Sequence, residues 1–173
     1  MALRIFLAGS IPKGDDKRKD WKDWKTNYIE KLSAIKEIEF ADPDDWKDET
    51  KPLILFGHDV NMVKTSDIMI VNAEKKLGVG TSQEMIIAKY FSKPVITILP
   101  KDTHHRRSNV VFDGTQINDW IHPFILTISD LVVETIEEAV DWIKEYKNNP
   151  KSKKIKDMSI IDESINSYLK KVR

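Results

Sequence analysis

The sequence predicts a single-domain α/β protein: a flavodoxin/Rossmann-like three-layer sandwich with a five-stranded, mostly parallel sheet and an extra C-terminal helix. Three observations carry that expectation. Short apolar runs rich in β-branched residues alternate with longer stretches whose apolar residues recur every three or four positions, the pattern of successive βα units. At 173 residues the chain has the length of one ordinary domain, enough to bury a core without metal or disulfide support. The run Asp67-Ile68-Met69-Ile70-Val71 is nearly all apolar, as a central strand covered on both faces by helices must be.

Each element has its own justification. Leu3 to Ala8 is the first strand, and Asp16 to Ile35 reads as one helix whose Trp21, Trp24, Tyr28, Leu32 and Ile35 form a stripe toward the sheet. Ile38 to Ala41 is the second strand, ended by Asp42-Pro43-Asp44-Asp45. A helix starts near Pro52, a residue suited to the first turn because an N–H there lacks an intrahelical partner anyway. After the third strand, Thr81 to Phe91 is helical and Pro94 to Leu99 is the fourth strand. Pro100 to Asp113 reads as a polar connection rich in His and Arg, a candidate binding loop. A fifth strand is expected near Leu126 to Val133, then a helix from Thr135 to Lys147 with Ile136, Ala139, Val140 and Ile143 on one face. The compact domain is thus expected over 1–147. Residues 148–173 read as a linker, broken by Pro150 and a lysine cluster, and an amphipathic helix carrying Ile161, Ile165, Tyr168, Leu169 and Val172. That helix needs a surface to cover, on its own domain or on a second subunit.

Composition removes several function classes. Lys plus Arg and Asp plus Glu are both 28, so no global field draws the chain to a nucleic acid polymer or an anionic membrane. The absence of cysteine excludes disulfides, thiolate metal sites and thiol nucleophiles, and fits a cytoplasmic protein. The apolar start Leu3 to Gly9 is too short to cross a bilayer and runs into charge rather than a cleavage site. The sequence contains no His-Glu-x-x-His or other metal-ligand spacing, so neither metal nor cofactor is expected. Ser10 and Ser82 lack the strand-turn-helix context of a hydrolase nucleophile.

Ligands of open α/β sheets bind beyond the carboxyl ends of the strands, where strand order reverses. Two segments fall there. Gly9-Ser10-Ile11-Pro12-Lys13-Gly14 leaves the first strand with glycines, a hydroxyl and a lysine, so its backbone N–H groups can approach an anion; a plain βα turn uses glycine in the same way. Gly78-Val79-Gly80-Thr81-Ser82-Gln83-Glu84 follows the third strand. Its glycines let a substrate reach the backbone, and Glu84 near a helix N-terminus is expected to stay ionised, as a nucleophile must. Thr81 to Glu84 is also a capping box, which alone accounts for both residues. Asp59, on the preceding helix, gains weight from its pairing with Glu84, since two facing carboxylates suit glycosyl chemistry. Trp46, after the second strand, is a candidate to lie over a bound base. The remaining tryptophans are expected in the core or at an interface.

These residues carry a resemblance. Asp59, Ser66-Asp67, the β-branched strand, Leu77-Gly78-Val79-Gly80, Glu84, Ala88 and Lys93-Pro94-Val95, with the opening Ile5-Phe6-Leu7-Ala8-Gly9-Ser10-Ile11, resemble the nucleoside 2-deoxyribosyltransferase superfamily, especially its 2'-deoxynucleoside 5'-phosphate N-hydrolase branch. The resemblance implies cleavage of an N-glycosidic bond in a nucleoside or its 5'-monophosphate, by hydrolysis or base transfer. It implies that Glu84 is the nucleophile and Asp59 its partner acid. It also implies that the region of His105, Arg106 and Ser108 can help hold a 5'-phosphate, a solvated basic loop being the alternative, and that the chain forms a homodimer or larger oligomer. Where the transferases carry an aspartate shortly before the glycine-threonine segment, this chain has Leu77 and Gly78, which counts against transfer. Two other readings remain open. One is a phosphoribohydrolase of the lysine-decarboxylase-like group, although its Pro-Gly-Gly opening is missing; the other is a non-catalytic nucleotide sensor in which Glu84 only caps its helix.

Overall fold

Residues buried on alternate faces of five short strands set the architecture. The computed structural model describes residues 2–45 and 48–172. In chain order the elements are β1 (Leu3–Gly9), α1 (Asp15–Arg18), α2 (Lys25–Leu32), β2 (Ile38–Ala41), α3 (Pro52–Thr65), β3 (Ile68–Asn72), α4 (Val79–Tyr90) and β4 (Val95–Ile98). Then come β5 (Arg106–Phe112), β6 (Thr115–Ile121), α5 (Pro123–Ile128), β7 (Leu131–Val133), α6 (Ile136–Asn148) and α7 (Ser159–Val172). The main sheet has the order β2-β1-β3-β4-β7 and is parallel throughout. The chain steps outward from β1 to β2, returns past β1 to β3, and then builds in the other direction. Strand order therefore reverses between β1 and β3, and a crevice opens beyond their carboxyl ends.

The pleat sends alternate side chains of each strand to opposite layers. Phe6, Ala8, Met69, Val71 and Val95 face the layer that holds Met62 and Val63 of α3, Met85 and Ala88 of α4, and Ile125 and Ile128 of α5. Ile5, Leu7, Ile68, Ile70, Ile96 and Ile98 face Tyr28 and Leu32 of α2 and Ile136, Ala139 and Ile143 of α6. With both faces covered, the strands read as continuous apolar runs.

Four expectations need correction. The helix drawn from Asp16 to Ile35 is two helices, because Asp23 Oδ1 accepts the Lys25 N–H at 3.0 Å and starts α2 afresh. The polar connection after β4 is a β-hairpin, closed by Asp113-Gly114 with φ of 46° and 76°, the two left-handed residues that a two-residue turn needs. The fifth strand is only Leu131–Val133; the first half of the expected run is α5, which starts at Pro123 and buries Ile125 and Ile128 three positions apart. The helix expected from Thr81 begins at Val79, so the capping box does not form.

The amino ends of the strands are pinned by a buried ion pair. Lys89 of α4 is fully enclosed and pairs with Asp130, whose Oδ2 also accepts the Val95 N–H at 2.7 Å. Asp130 Oδ1 accepts the Lys156 N–H at 2.8 Å, and the Lys156 ammonium caps the end of α5 by donating to Leu126 O, Thr127 O and Ser129 O. The tail is thereby tied down, and Ile160 packs on the core. Ile160 is only partly covered and no residue of α7 is fully buried; Ile161, Ile165, Tyr168 and Val172 stand 41–64% exposed. Among the described residues no helix is long and apolar enough to cross a membrane.

Candidate active site

The crevice between β1 and β3 holds a cavity of about 270 Å³, close to the lower end of the ~300–1,000 Å³ typical of small-molecule sites. Gly9, Ser10, Ile11 and Lys13 line it from the loop after β1, and Pro43 and Asp44 from the turn after β2. Leu55 and Asp59 reach it from α3; Gly78, Val79, Gly80, Thr81 and Glu84 come from the start of α4.

Packing decides why the two acids share this space. Asp59 lies one turn before Met62 and Val63, which anchor α3 in the core, and Glu84 immediately precedes Met85, which anchors α4 in the same layer. The two carboxylates consequently line one cavity. Glu84 sits in the second turn of α4, past the residues whose free N–H groups favour an anion. Burial and the neighbouring Asp59 push its carboxyl up to about 7, while the Lys13 ammonium pulls the other way. This corrects the expectation that the helix N-terminus keeps Glu84 ionised: near neutral pH the side chain is poised between its two forms. Among the described residues its carboxylate has no hydrogen-bond or ion-pair partner. Asp59 is held differently, with Oδ1 3.0 Å from His58 Nδ1.

The rim is fixed by two charged contacts. Arg18 grips Asp44 through two N–H groups at 2.7 Å each and donates from Nε to Pro12 O at 2.9 Å, joining the loops after β1 and β2. Lys13 donates to Glu49 at 2.5 Å while remaining largely exposed. Gly78 and Gly80 would each direct a Cβ into open space, whereas a Cβ at Gly9 would meet the Trp24 ring at 2.6 Å. The first two leave room on the cavity side; the third is required by packing. Ser82 Oγ donates to Gly78 O at 3.0 Å and Thr81 is buried, so neither caps the helix through its side chain.

Other candidates lie elsewhere. Gly14, with φ of 86°, turns the chain into α1, and its carbonyl accepts the Lys17 and Arg18 N–H groups. Arg106 is buried, and its guanidinium is taken by Asp119 and Leu99 O, with Glu134 3.5 Å away. The Ser108 N–H donates to Asp102. His105 Nε2 accepts the Leu77 N–H at 3.0 Å. None of these four lines the cavity. Trp46 lies outside the described residues. Sequence reasoning passed over Lys13, Asp44, Leu55 and His58 as site residues. The rule that ligands bind beyond carboxyl strand ends already pointed to Asp44 after β2, but its pairing with Arg18 is nonlocal and has no sequence signature. Among the described residues no group of three or more His, Asp or Glu side chains is arranged to hold a metal ion.

Comparison with solved structures places this fold among known ones. The chain superposes on the 2-deoxyribosyltransferase of Bacillus psychrosaccharolyticus with a TM-score of 0.52 and 14% identity, over 80% of this chain and 90% of that one. The CMP N-glycosidase of Clostridium botulinum aligns with a TM-score of 0.45 and 17% identity, over 81% of this chain and 97% of that one. No protein-family model matches the sequence, and no curated protein matches it. The first superposition shows a shared α/β fold.

Proposed function

We propose that the chain cleaves the N-glycosidic bond of a nucleoside or nucleoside 5'-monophosphate with Glu84 and Asp59 as its working acids. One observation carries this reading: two carboxylates from different helices line a sugar-sized cavity at the strand-order reversal, and one of them, Glu84, has no hydrogen-bond or ion-pair partner among the described residues. The deoxyribosyltransferase sharing the fold supports it. Lys13 at the mouth is the cationic side chain on the lining and the natural contact for a phosphate.

The chemistry follows from charge. In the ionised form Glu84 attacks C1', the C1'–N bond breaks, and its electron pair leaves with the base, which takes a proton from solvent while the Asp59 carboxylate orients the sugar. Positive charge on the sugar ring in the transition state is stabilised by both carboxylates. Water then attacks C1' of the glycosyl ester, releases Glu84 and gives up a proton; a second base in place of water makes the same site a transferase. The upward shift of the Glu84 carboxyl to about 7 keeps part of it protonated near neutral pH and favours one competing assignment, in which Glu84 gives its proton to the departing base. A panel of nucleosides and monophosphates assayed for base release, with Glu84→Gln alongside wild type, tests the reading. A loss of at least a thousandfold is expected, and full activity in Glu84→Gln removes the mechanism. A glycosyl adduct mapped by mass spectrometry to Glu84 separates the nucleophile from the acid.

The assembly belongs to the same reading. Ile161, Ile165, Tyr168 and Val172 recur at alternating spacings of four and three along one face of α7, the seam of a two-helix contact. Ile161 and Ile165 line one apolar groove with Phe124 of α5, which is itself exposed, so the face is continuous across the two helices. A second copy of this chain is the occupant we propose. Light scattering should give twice the chain mass, and Ile165→Glu with Tyr168→Glu should return it to a monomer.

A further inference from the structure

The hairpin β5-β6 stands outside the cavity, yet its base touches the segment that forms the cavity floor. His105, the residue before β5, accepts the Leu77 N–H at Nε2 over 3.0 Å, and Leu77 directly precedes Gly78, Val79, Gly80 and Thr81. The hairpin base is itself immobilised. Arg106 binds Leu99 O and Asp119, and the His122 N–H donates to His105 O at 2.8 Å. The His105 ring packs edge-on against those of His104 and His122, with centroids 4.6 and 5.7 Å away.

We propose that neutral His105 is a positioning residue that braces the Gly78–Thr81 floor through the Leu77 amide, and that protonation of its ring releases the floor. An imidazole accepts a hydrogen bond only through its unprotonated nitrogen, so the contact to Leu77 exists in the neutral ring and is lost in the cation. The surroundings favour the neutral form. Burial is the main cause that holds His105 below its ordinary range, followed by the like charges of His104, His122 and Lys76. The other residues around the small cavity beside the ring are Leu77, Ser82, Met85, Ile86, Phe124, Ile125 and Ile128, none of them charged. Among the described residues no carboxylate lines that cavity to offset a proton on the ring. Among the described residues Nδ1 of both His105 and His122 is buried without a hydrogen-bond partner, so the Leu77 contact is what orients the His105 ring.

Only the functional consequence of this brace rests on the proposed glycosidic reaction; the brace itself is testable without substrate. In the full-length protein, hydrogen exchange at the Leu77 amide, corrected for intrinsic rate, is followed from pH 8 to pH 5 beside the Val95 amide as a core reference. Leu77 protection should fall about tenfold as the His105 ring titrates, with a midpoint below 6.5, while Val95 stays protected. His105→Gln supplies a non-titrating acceptor at the same reach and should keep Leu77 protected at every pH. His105→Phe should lose that protection throughout and raise KM several-fold more than it lowers kcat. Constant Leu77 protection across the His105 titration overturns the brace, and that measurement needs no variant to fold. Equal protection in His105→Phe overturns it as well. A glycosidase assay that fails while Leu77 behaves as expected counts against the reaction, not the brace.

Discussion

Helix α4 carries two ionisable side chains withdrawn from water, Lys89 fully buried near its C-terminus and Glu84 half-buried in its second turn, and the two are treated in opposite ways. Near its C-terminus Lys89 is fully enclosed but meets Asp130, whose remaining lone pairs accept backbone N–H groups from Val95 and Lys156. One turn and a little earlier, Glu84 is desolvated beside a second carboxylate and, among the described residues, has no hydrogen-bond or ion-pair partner. A paired and fully hydrogen-bonded buried charge holds elements together, whereas an unpaired one costs stability and persists only where it serves something else. The contrast separates the structural pole of the helix from the one proposed to be reactive, on criteria that sequence spacing does not supply.

Mutating each pole should break the comparison in a characteristic way. Glu84→Gln is expected to abolish turnover while making the fold more stable above neutral pH. The folded state raises the Glu84 carboxyl to about 7 from 4.5, so the native protein binds that proton more tightly than the unfolded chain. Stability from this group is fully present below pH 4.5 and drains away as pH rises toward 7. Removing the charge should recover on the order of 1–2 kcal/mol at pH 8, allowing for partial contact with solvent. Lys89→Met should do the reverse, leaving Asp130 buried and unpaired at a cost of about 3–5 kcal/mol while the folded fraction keeps its turnover. Urea titrations at pH 5 and pH 8 with matched kinetics decide both. A Glu84→Gln protein less stable than wild type at pH 8 contradicts the assignment of the poles.

Asp59 sharpens the picture by a smaller effect. Its charge is one of the two causes raising Glu84, so Asp59→Asn should lower the Glu84 midpoint and move the rising limb of the kcat/KM profile to lower pH. Turnover should still fall about 10- to 100-fold, because the sugar loses one of its two carboxylate neighbours. An unmoved profile means that the two acids do not sense each other in solution.

The layered fold was legible because its signals are periodic: β3 is apolar at all positions but its last, and α6 presents Ile136, Ala139 and Ile143 on one buried face. What failed was local chemistry in competition with pattern. Asp113-Gly114 between Val110-Val111-Phe112 and Thr115-Gln116-Ile117 is a strong hairpin signature, yet the polar setting of His104 to Ser108 hid it. At the site, Thr81 to Glu84 matches a capping box letter for letter; the helix starts two residues earlier because Gly78, with φ of −75° and ψ of 167°, serves as its cap. Removing the capping role from Glu84 leaves its carboxylate without structural duty. The convergence of Asp59 and Glu84 on one crevice is suggested by their places on the helices before and after β3 and strengthened by the resemblance, but nothing in their spacing fixes how α3 and α4 lie side by side.

Gly80 offers the finest test, because its two possible purposes predict opposite signs. It lies inside the first turn of α4, has no positive φ, and an added Cβ meets no atom within 4 Å. A glycine there for folding alone is a poor choice, since alanine in a helix is favoured by roughly 0.5–1 kcal/mol. Gly80→Ala should therefore raise the melting temperature by a few degrees. The methyl group enters open space at a residue lining the cavity, so KM should rise several-fold while kcat changes less. A more stable variant with unchanged KM means that no substrate runs along this backbone, and the candidate floor would shrink to Gly78 and Thr81.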